Sequence, residues 1–299
     1  MLTLFALPKA FQGHFGVIQR NAITSWTLLR PRPEIVLFGD ETGTADVVVE
    51  LGLRHDPEVA RNEFGTVLLD DLFEKAQADA AADLLCYVNA DVILLQDFME
   101  AVERTRDWAK RFLMVGQCWD TDIAEPLLFD CPDWEEHLRD VVRSTAKLRS
   151  ITGIDYFVFP TGLYSNIPPF GLGRTFWDNW LVWRACRSGA AVVDATAVTT
   201  VVHQNHPFSW TWMGPEQERN FKLAGGWHTR YSIANAPYRL TSVGIVRDWA
   251  RSFGARWELL RWIWTSNLIN WTRPARHALG LNQRRLDSIK KVFSRSLRQ

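Results

Sequence analysis

Three short stretches of this chain carry residue types whose spacing could do chemistry. In Leu84-Leu-Cys-Tyr-Val-Asn89-Ala90-Asp91, five strand-forming residues run into two oxygen-bearing side chains. Alternation along a strand lets Asn89 and Asp91 point the same way at its carboxyl end, where open α/β sheets take their ligands. Such a pair suits a hard divalent cation carried by a diphosphate, because Mg²⁺ and Mn²⁺ accept a few protein oxygens and complete their shells with phosphate and water. The plainer alternative is an Asn-Ala-Asp turn that ends a strand. The second stretch, His203-Gln-Asn-His206, follows the apolar run Val198 to Val202. Neutral imidazole ligates Mn²⁺ as well as zinc, although two such histidines also serve as strand caps in contact with solvent. The third is Phe170-Gly-Leu-Gly173-Arg174-Thr-Phe-Trp177-Asp178-Asn179-Trp180. Its glycines permit close backbone approach, Arg174 offers a cation to a diphosphate, and Trp177 and Trp180 offer faces to a sugar ring. Asp178 opens a helix, a position that capping and the helix dipole favour with or without catalysis.

Apolar runs alternating with amphipathic stretches must position these residues, the pattern of strands and helices taking turns around a mostly parallel sheet. Leu2 to Leu7 reads as a strand, Phe15 to Leu29 as a helix, and Glu34 to Phe38 as a strand ending at Gly39-Asp40. A short apolar segment, Val47 to Leu51, precedes a helix over Thr66 to Ala80 and a buried strand over Asp83 to Val88. Helix at Gln96 to Arg106, strand at Phe112 to Gly116, an acidic stretch from Trp119 to Glu136 and strand at Tyr156 to Phe159 follow. Asp155, just before that strand, is expected as an exposed carboxylate. Trp177 to Arg187 reads as helix and Ala190 to Val202 as apolar strand ending at His203. Glu216 and Asn220, four apart on a short helix, share a face turned to substrate or to solvent, and His228 and Arg230 could reach a phosphate. From Leu240 onward the texture is Arg- and Trp-rich helix without strand signal.

Composition narrows the classes. The 299 residues, 47% hydrophobic and 23% charged, exclude disorder and small disulfide scaffolds. Four scattered cysteines, with no CxxC pair, argue against structural zinc and for a reducing compartment. The chain lacks an unbroken apolar stretch of the roughly 18 residues that a spanning helix needs, and its first residues read as a strand. GxGxxG after the first strand is absent, as is a P-loop, so a dinucleotide oxidoreductase is disfavoured. Net charge is zero, but 13 of the 34 basic residues and only three acidic ones follow Tyr238. That +10 tail, bearing Trp249, Trp257, Trp262, Trp264 and Trp271, either packs on the acidic body or lies on an anionic membrane surface. No nucleic-acid-binding signature accompanies the charge.

Over roughly residues 1 to 230 the order of these motifs resembles the GT-A glycosyltransferases, in particular the family-2-like branch. Tyr87-Val-Asn89-Ala-Asp91 looks like their DxD element with asparagine in the first place. The resemblance implies an α/β fold with a GT-A, Rossmann-like, mostly parallel mixed sheet flanked by helices. It divides the chain into a catalytic domain at 1–238, with a nucleotide-binding half to about 116 and an acceptor half to 238, and a basic helical C-terminal extension at 239–299. It implies a Mn²⁺ or Mg²⁺ ion held by Asp91 and His203. Asp40 would lie against the nucleobase, Asn89 and Arg174 on the nucleotide-diphospho-sugar donor, and Asp178 would act as the base of an inverting transfer. The acceptor would be a glycan or another hydroxyl, as in surface polysaccharide synthesis, and the enzyme cytoplasmic or peripheral on the inner membrane face. A nucleotide-sugar or glycan-binding module that lost the chemistry is the alternative, and Asn89 is the feature that favours it.

Overall fold

The computed structural model describes residues 1–206, 214–226 and 231–248. Its strands are built from the unbroken apolar runs. β1 (Leu2–Ala6) leads through α1 (Gly13–Leu28) to β2 (Glu34–Phe38), then α2 (Thr44–Leu51), β3 (Arg54–Asp56), α3 (Leu69–Asp79) and β4 (Leu84–Val88). There follow β5 (Val92–Ile93), α4 (Gln96–Trp108), β6 (Phe112–Val115), β7 (Trp119–Thr121), α5 (Trp134–Thr145), β8 (Lys147–Leu148) and β9 (Tyr156–Pro160). Next come α6 (Trp177–Arg187), β10 (Ala191–Asp194), β11 (Val202–Gln204), α7 (Pro215–Leu223), β12 (Tyr238–Thr241) and β13 (Gly244–Arg247).

Nine strands form the main sheet in the order β13-β12-β10-β6-β9-β4-β1-β2-β3. All its pairings are parallel except those of β9 with β4 and β6 and of β13 with β12. Every residue of β1 and β4 is buried, as strands covered by helices on both faces require. Alternation sends Leu2, Leu4, Cys86 and Val88 to a core with Trp26 of α1 and Phe98 of α4. It sends Phe5, Leu85, Tyr87 and Phe157 to a second core with Phe73 of α3 and Trp177 and Leu181 of α6. β1 connects on one side to β2 and pairs on the other with β4, so the strand order reverses there. A crevice opens outside the carboxyl ends of the two strands, the place where such sheets hold ligands.

One segment that the sequence did not assign becomes a helix, and two elements differ from the sequence expectation. Val47 to Leu51 lies within α2, because Gly43 and Gly52 at φ 85° and 63° close its two ends in the left-handed region. The apolar run Ala190 to Val202 is two strands in two sheets. Asp194 Oδ1 accepts from the backbone nitrogen (2.9 Å) and hydroxyl (2.5 Å) of Thr196, a turn that carries the chain out of the main sheet. The run then re-enters as β11 in a small sheet ordered β5-β11-β7-β8. His203 therefore stands in the middle of a strand instead of terminating one. Beyond Tyr238 the chain is not helical at first: β12 and β13 form an antiparallel hairpin at the sheet edge, across the expected boundary at 238–239. The remainder of the Arg- and Trp-rich extension, from residue 249, lies outside the described residues.

Candidate active site

The crevice is an open cavity of ≈ 850 Å³, within the range of small-ligand sites. Asn89, Asp91, Arg174, Asp178 and His203, named above from sequence, all line it. Asp91 is at its centre. Its backbone carbonyl accepts from the Gln204 side chain (2.9 Å), and that buried amide is itself anchored to Ile18 O (2.7 Å). The carboxylate is thereby held at the level of β11, whose His203 pairs in register with Val92. Asp91 Oδ2 lies 3.1 Å from His206 Nε2 and 3.9 Å from His203 Nε2, while buried Oδ1 accepts no hydrogen bond among the described residues. Burial opposes its ionisation, yet the hydrogen bond from His206 and the charges of both imidazoles and of Lys9 hold the carboxyl below its ordinary value.

One carboxylate oxygen and two imidazole nitrogens from Asp91, His203 and His206 lie within 4.8 Å of one another, close enough to share one ion. A buried carboxylate oxygen that accepts no hydrogen bond among the described residues, beside two imidazole nitrogens, fits a divalent cation. Mixed oxygen and nitrogen ligation suits Mn²⁺ better than Mg²⁺, which prefers oxygen. His206 completes the group, a role that sequence left open between ligand and strand cap.

Behind these residues runs a charged chain that the sequence did not disclose. Asp120, paired with His203 across β7 and β11, places Oδ1 3.1 Å from His203 Nδ1. Arg149 binds Asp120 (2.7 Å) and approaches Asp155 Oδ2 (3.3 Å). Asp155 is buried, against the expectation of an exposed strand-start carboxylate. Antiparallel pairing of β4 with β9 puts it directly opposite Asn89, whose backbone nitrogen donates to Asp155 O (2.9 Å). Asn89 Nδ2 donates to Asp155 Oδ1 (2.9 Å) and its Oδ1 accepts from the Tyr87 hydroxyl (3.1 Å). The asparagine thus presents its remaining amide hydrogen to the cavity. A second acidic group at position 89 would face Asp155 across the same 2.9 Å.

The opposite wall is the start of α6. Phe176 precedes it at φ 83°, a left-handed conformation that bulky residues avoid and that throws the first turn of the helix toward the cavity. Asp178 sits within that first turn and is not the capping residue. The Trp177 ring meets Tyr87 edge-on at 5.4 Å, which ties this turn to β4. Arg174 Nε donates to Glu216 Oε2 (2.7 Å), and both side chains engage the Thr66 hydroxyl. Burial works against Glu216 ionisation, but Thr66 and Arg174 hold its carboxyl below the ordinary range. Asn220, expected on the same face, is buried and acts structurally, because its side chain brackets the backbone nitrogen (2.9 Å) and oxygen (2.9 Å) of Gly171.

Asp40 is not brought to the cavity wall. Its side chain is 72% exposed and binds Arg61 (3.0 Å), and it is Arg61 and Glu41 that line the cavity. Trp180 packs on Phe170 in the second core and is not among the residues that line the cavity. His228 and Arg230 lie outside the described residues.

No protein-family model matches the chain, and no curated protein matches it. Among solved structures, the 1–349 portion of TarS from S. aureus in complex with UDP-GlcNAc superposes with a TM-score of 0.53 at 11% identity, over 96% of this chain and 78% of that one. Glucosyl-3-phosphoglycerate synthase from M. tuberculosis superposes with a TM-score of 0.48 at 13% identity, over 76% of this chain and 81% of that one. The likeness to TarS identifies the fold, a GT-A nucleotide-diphospho-sugar transferase fold, as the order of motifs implied.

Proposed function

We propose that this chain is a glycosyltransferase that moves a sugar from a nucleoside-diphosphate donor to a hydroxyl acceptor, with Mn²⁺ preferred to Mg²⁺. One observation carries the reading: Asp91, whose buried Oδ1 accepts no hydrogen bond among the described residues, stands with His203 and His206 at the carboxyl end of β4, in a cavity that Asp178 also lines. Because the TarS structure of the same fold is a complex with UDP-GlcNAc, a UDP-sugar is the first donor class to test.

Asp91, His203 and His206 would hold the cation. When bound, that ion supplies positive charge against the departing diphosphate. Asp178, in the first turn of α6 on the cavity wall, accepts the proton of the acceptor hydroxyl at a carboxylate oxygen as the new bond forms. Displacement assisted by one such base inverts the anomeric centre. Arg174 meets the donor once it exchanges Glu216 for phosphate. Asn89 donates its remaining amide hydrogen to a ribose or sugar oxygen. Its replacement of an acidic residue does not argue against catalysis, because the adjacent carboxylate is supplied by Asp155. A glycan is the acceptor class we assign.

Titration calorimetry with UDP, GDP and dTDP, in the presence and absence of Mn²⁺, tests the donor and metal sites together. Metal-linked binding of one nucleotide is expected, with loss of the metal dependence in Asp91→Asn. Nucleotide affinity indifferent to Mn²⁺ and to this substitution would remove the assignment.

A further inference from the structure

Four cationic side chains among the described residues line the cavity: Lys9, Arg61, Arg149 and Arg174. Three are matched. Arg61 binds Asp40 (3.0 Å) and Glu41 (3.3 Å), Arg149 binds Asp120 (2.7 Å) and Asp155 (3.3 Å), and Arg174 binds Glu216 (2.7 Å). Lys9 differs, since no carboxylate of the described residues lies within 4 Å of its ammonium. Instead Nζ rests 4.2 Å from the centre of the Phe15 ring, a weak partner for a cation that water can reach.

The backbone holds Lys9 where an anion would need it. β1 and β4 pair in parallel with Phe5 opposite Tyr87, so Lys9 and Asp91, each four residues further on, emerge at the same level of the sheet. The buried Gln19 side chain fixes the segment on both sides, accepting from Lys9 N (2.6 Å) and donating to Lys9 O (2.9 Å). Partial burial works against the ammonium, the Asp91 carboxylate attracts it and the Arg174 guanidinium repels it, and all three side chains line the same cavity. An ammonium on a clamped backbone, without a carboxylate partner among the described residues and in one cavity with Asp91 and Arg174, is a receptacle for a further anion.

Resting on the glycosyltransferase reading, we infer that Lys9 is a binding residue for the diphosphate of the donor, and that it meets the phosphate oxygens while Arg174 is still held by Glu216. A lysine on a clamped backbone can follow both the bound diphosphate and the departing one, because its three donors rotate about a single point charge. The unmatched ammonium also raises the attraction of the cavity for polyanions before any contact forms.

The test is titration of Lys9→Met, which keeps the alkyl stem over Phe15, with uridine, UMP and UDP in Mn²⁺. Loss of one charge-assisted contact predicts UDP affinity down by about 10- to 100-fold, a smaller loss for UMP, and uridine unchanged. The salt dependence of UDP binding should flatten, and Lys9→Arg should restore most of the affinity. If Lys9→Met binds UDP as wild type does, or weakens uridine equally, the inference is overturned while the glycosyltransferase reading stands. If wild-type protein binds no nucleoside diphosphate in the presence of Mn²⁺, both fall. Circular dichroism of Lys9→Met keeps misfolding apart from lost binding.

Discussion

The two walls of the cavity treat charge in opposite ways. At the ends of β1 and β4, Asp91 keeps an oxygen without a donor and Lys9 an ammonium without a carboxylate. Across the cavity, Arg174, Glu216 and Thr66 satisfy one another, and Asn220 closes the backbone behind them. A buried carboxylate oxygen without a donor costs stability, and a fold retains it where something else supplies the match. The strand-end wall is therefore built to receive a charged ligand, whereas the helical wall is already a closed network that must open to take part. Asp178 belongs to the second wall by position and, as the proposed base, to the chemistry of the first.

The largest effect should come from that residue. Asp178→Asn keeps the shape of the first turn and removes the base, so turnover is expected to fall by about 10²- to 10⁴-fold. Affinity for nucleoside diphosphate and Mn²⁺ should stay within a factor of about two by calorimetry. If binding falls in parallel with turnover, Asp178 serves the donor side and the division between the walls is wrong.

A medium effect tests the strand-end wall. Asn89→Asp would set a second carboxylate against Asp155 Oδ1, now 2.9 Å from an amide. Losing that hydrogen bond and gaining like-charge repulsion should destabilise the fold by about 1–3 kcal/mol at neutral pH. Two close carboxylates raise the proton affinity of the pair, so the cost should shrink as the pH falls and one proton is taken up. The double variant Asn89→Asp with Asp155→Asn should recover most of the lost thermal stability. No recovery would mean that the pairing across β4 and β9 is not what dictates asparagine here.

What could be read in advance follows the range of the interactions. The strand before Asp91 and the helix after Asp178 are local patterns, legible from alternation and periodicity, and both are found at the expected residues. The β-branched Val47, Val48 and Val49 give no helical signal of their own, and two glycines in left-handed conformations decide for helix in α2. His203 was visible as a chemical type, but its strand partners Val92 and Asp120 lie about 110 and 80 residues away in sequence. Asp155 opposite Asn89 has the same origin: register between β4 and β9, separated by 66 residues, turns an unremarkable carboxylate into a buried part of the site. Lys9 and Asp91 become neighbours through parallel pairing, which leaves no local trace. Motif order revealed the fold, whereas the charged chain behind the motifs needed the pairing.

The smallest effect concerns the closed wall and decides whether its closure matters. Glu216→Gln removes the charge that holds Arg174 and leaves a neutral hydrogen-bonding group of the same shape. A single ion pair at the edge of a cavity contributes below about 1 kcal/mol, so thermal stability should change little at neutral pH. Because the folded carboxyl is held below its ordinary range, its contribution is present above the unfolded value and is lost as the pH falls through the lower folded one. The unfolding temperatures of wild type and variant should therefore converge below about pH 4, the usual carboxylate range. Over neutral pH, a released Arg174 should bind UDP more tightly by a factor of up to about five, the most that this pair can withhold. If Glu216→Gln binds UDP more weakly, the carboxylate positions Arg174 for the donor rather than competing with it, and both walls are then prepared for ligand.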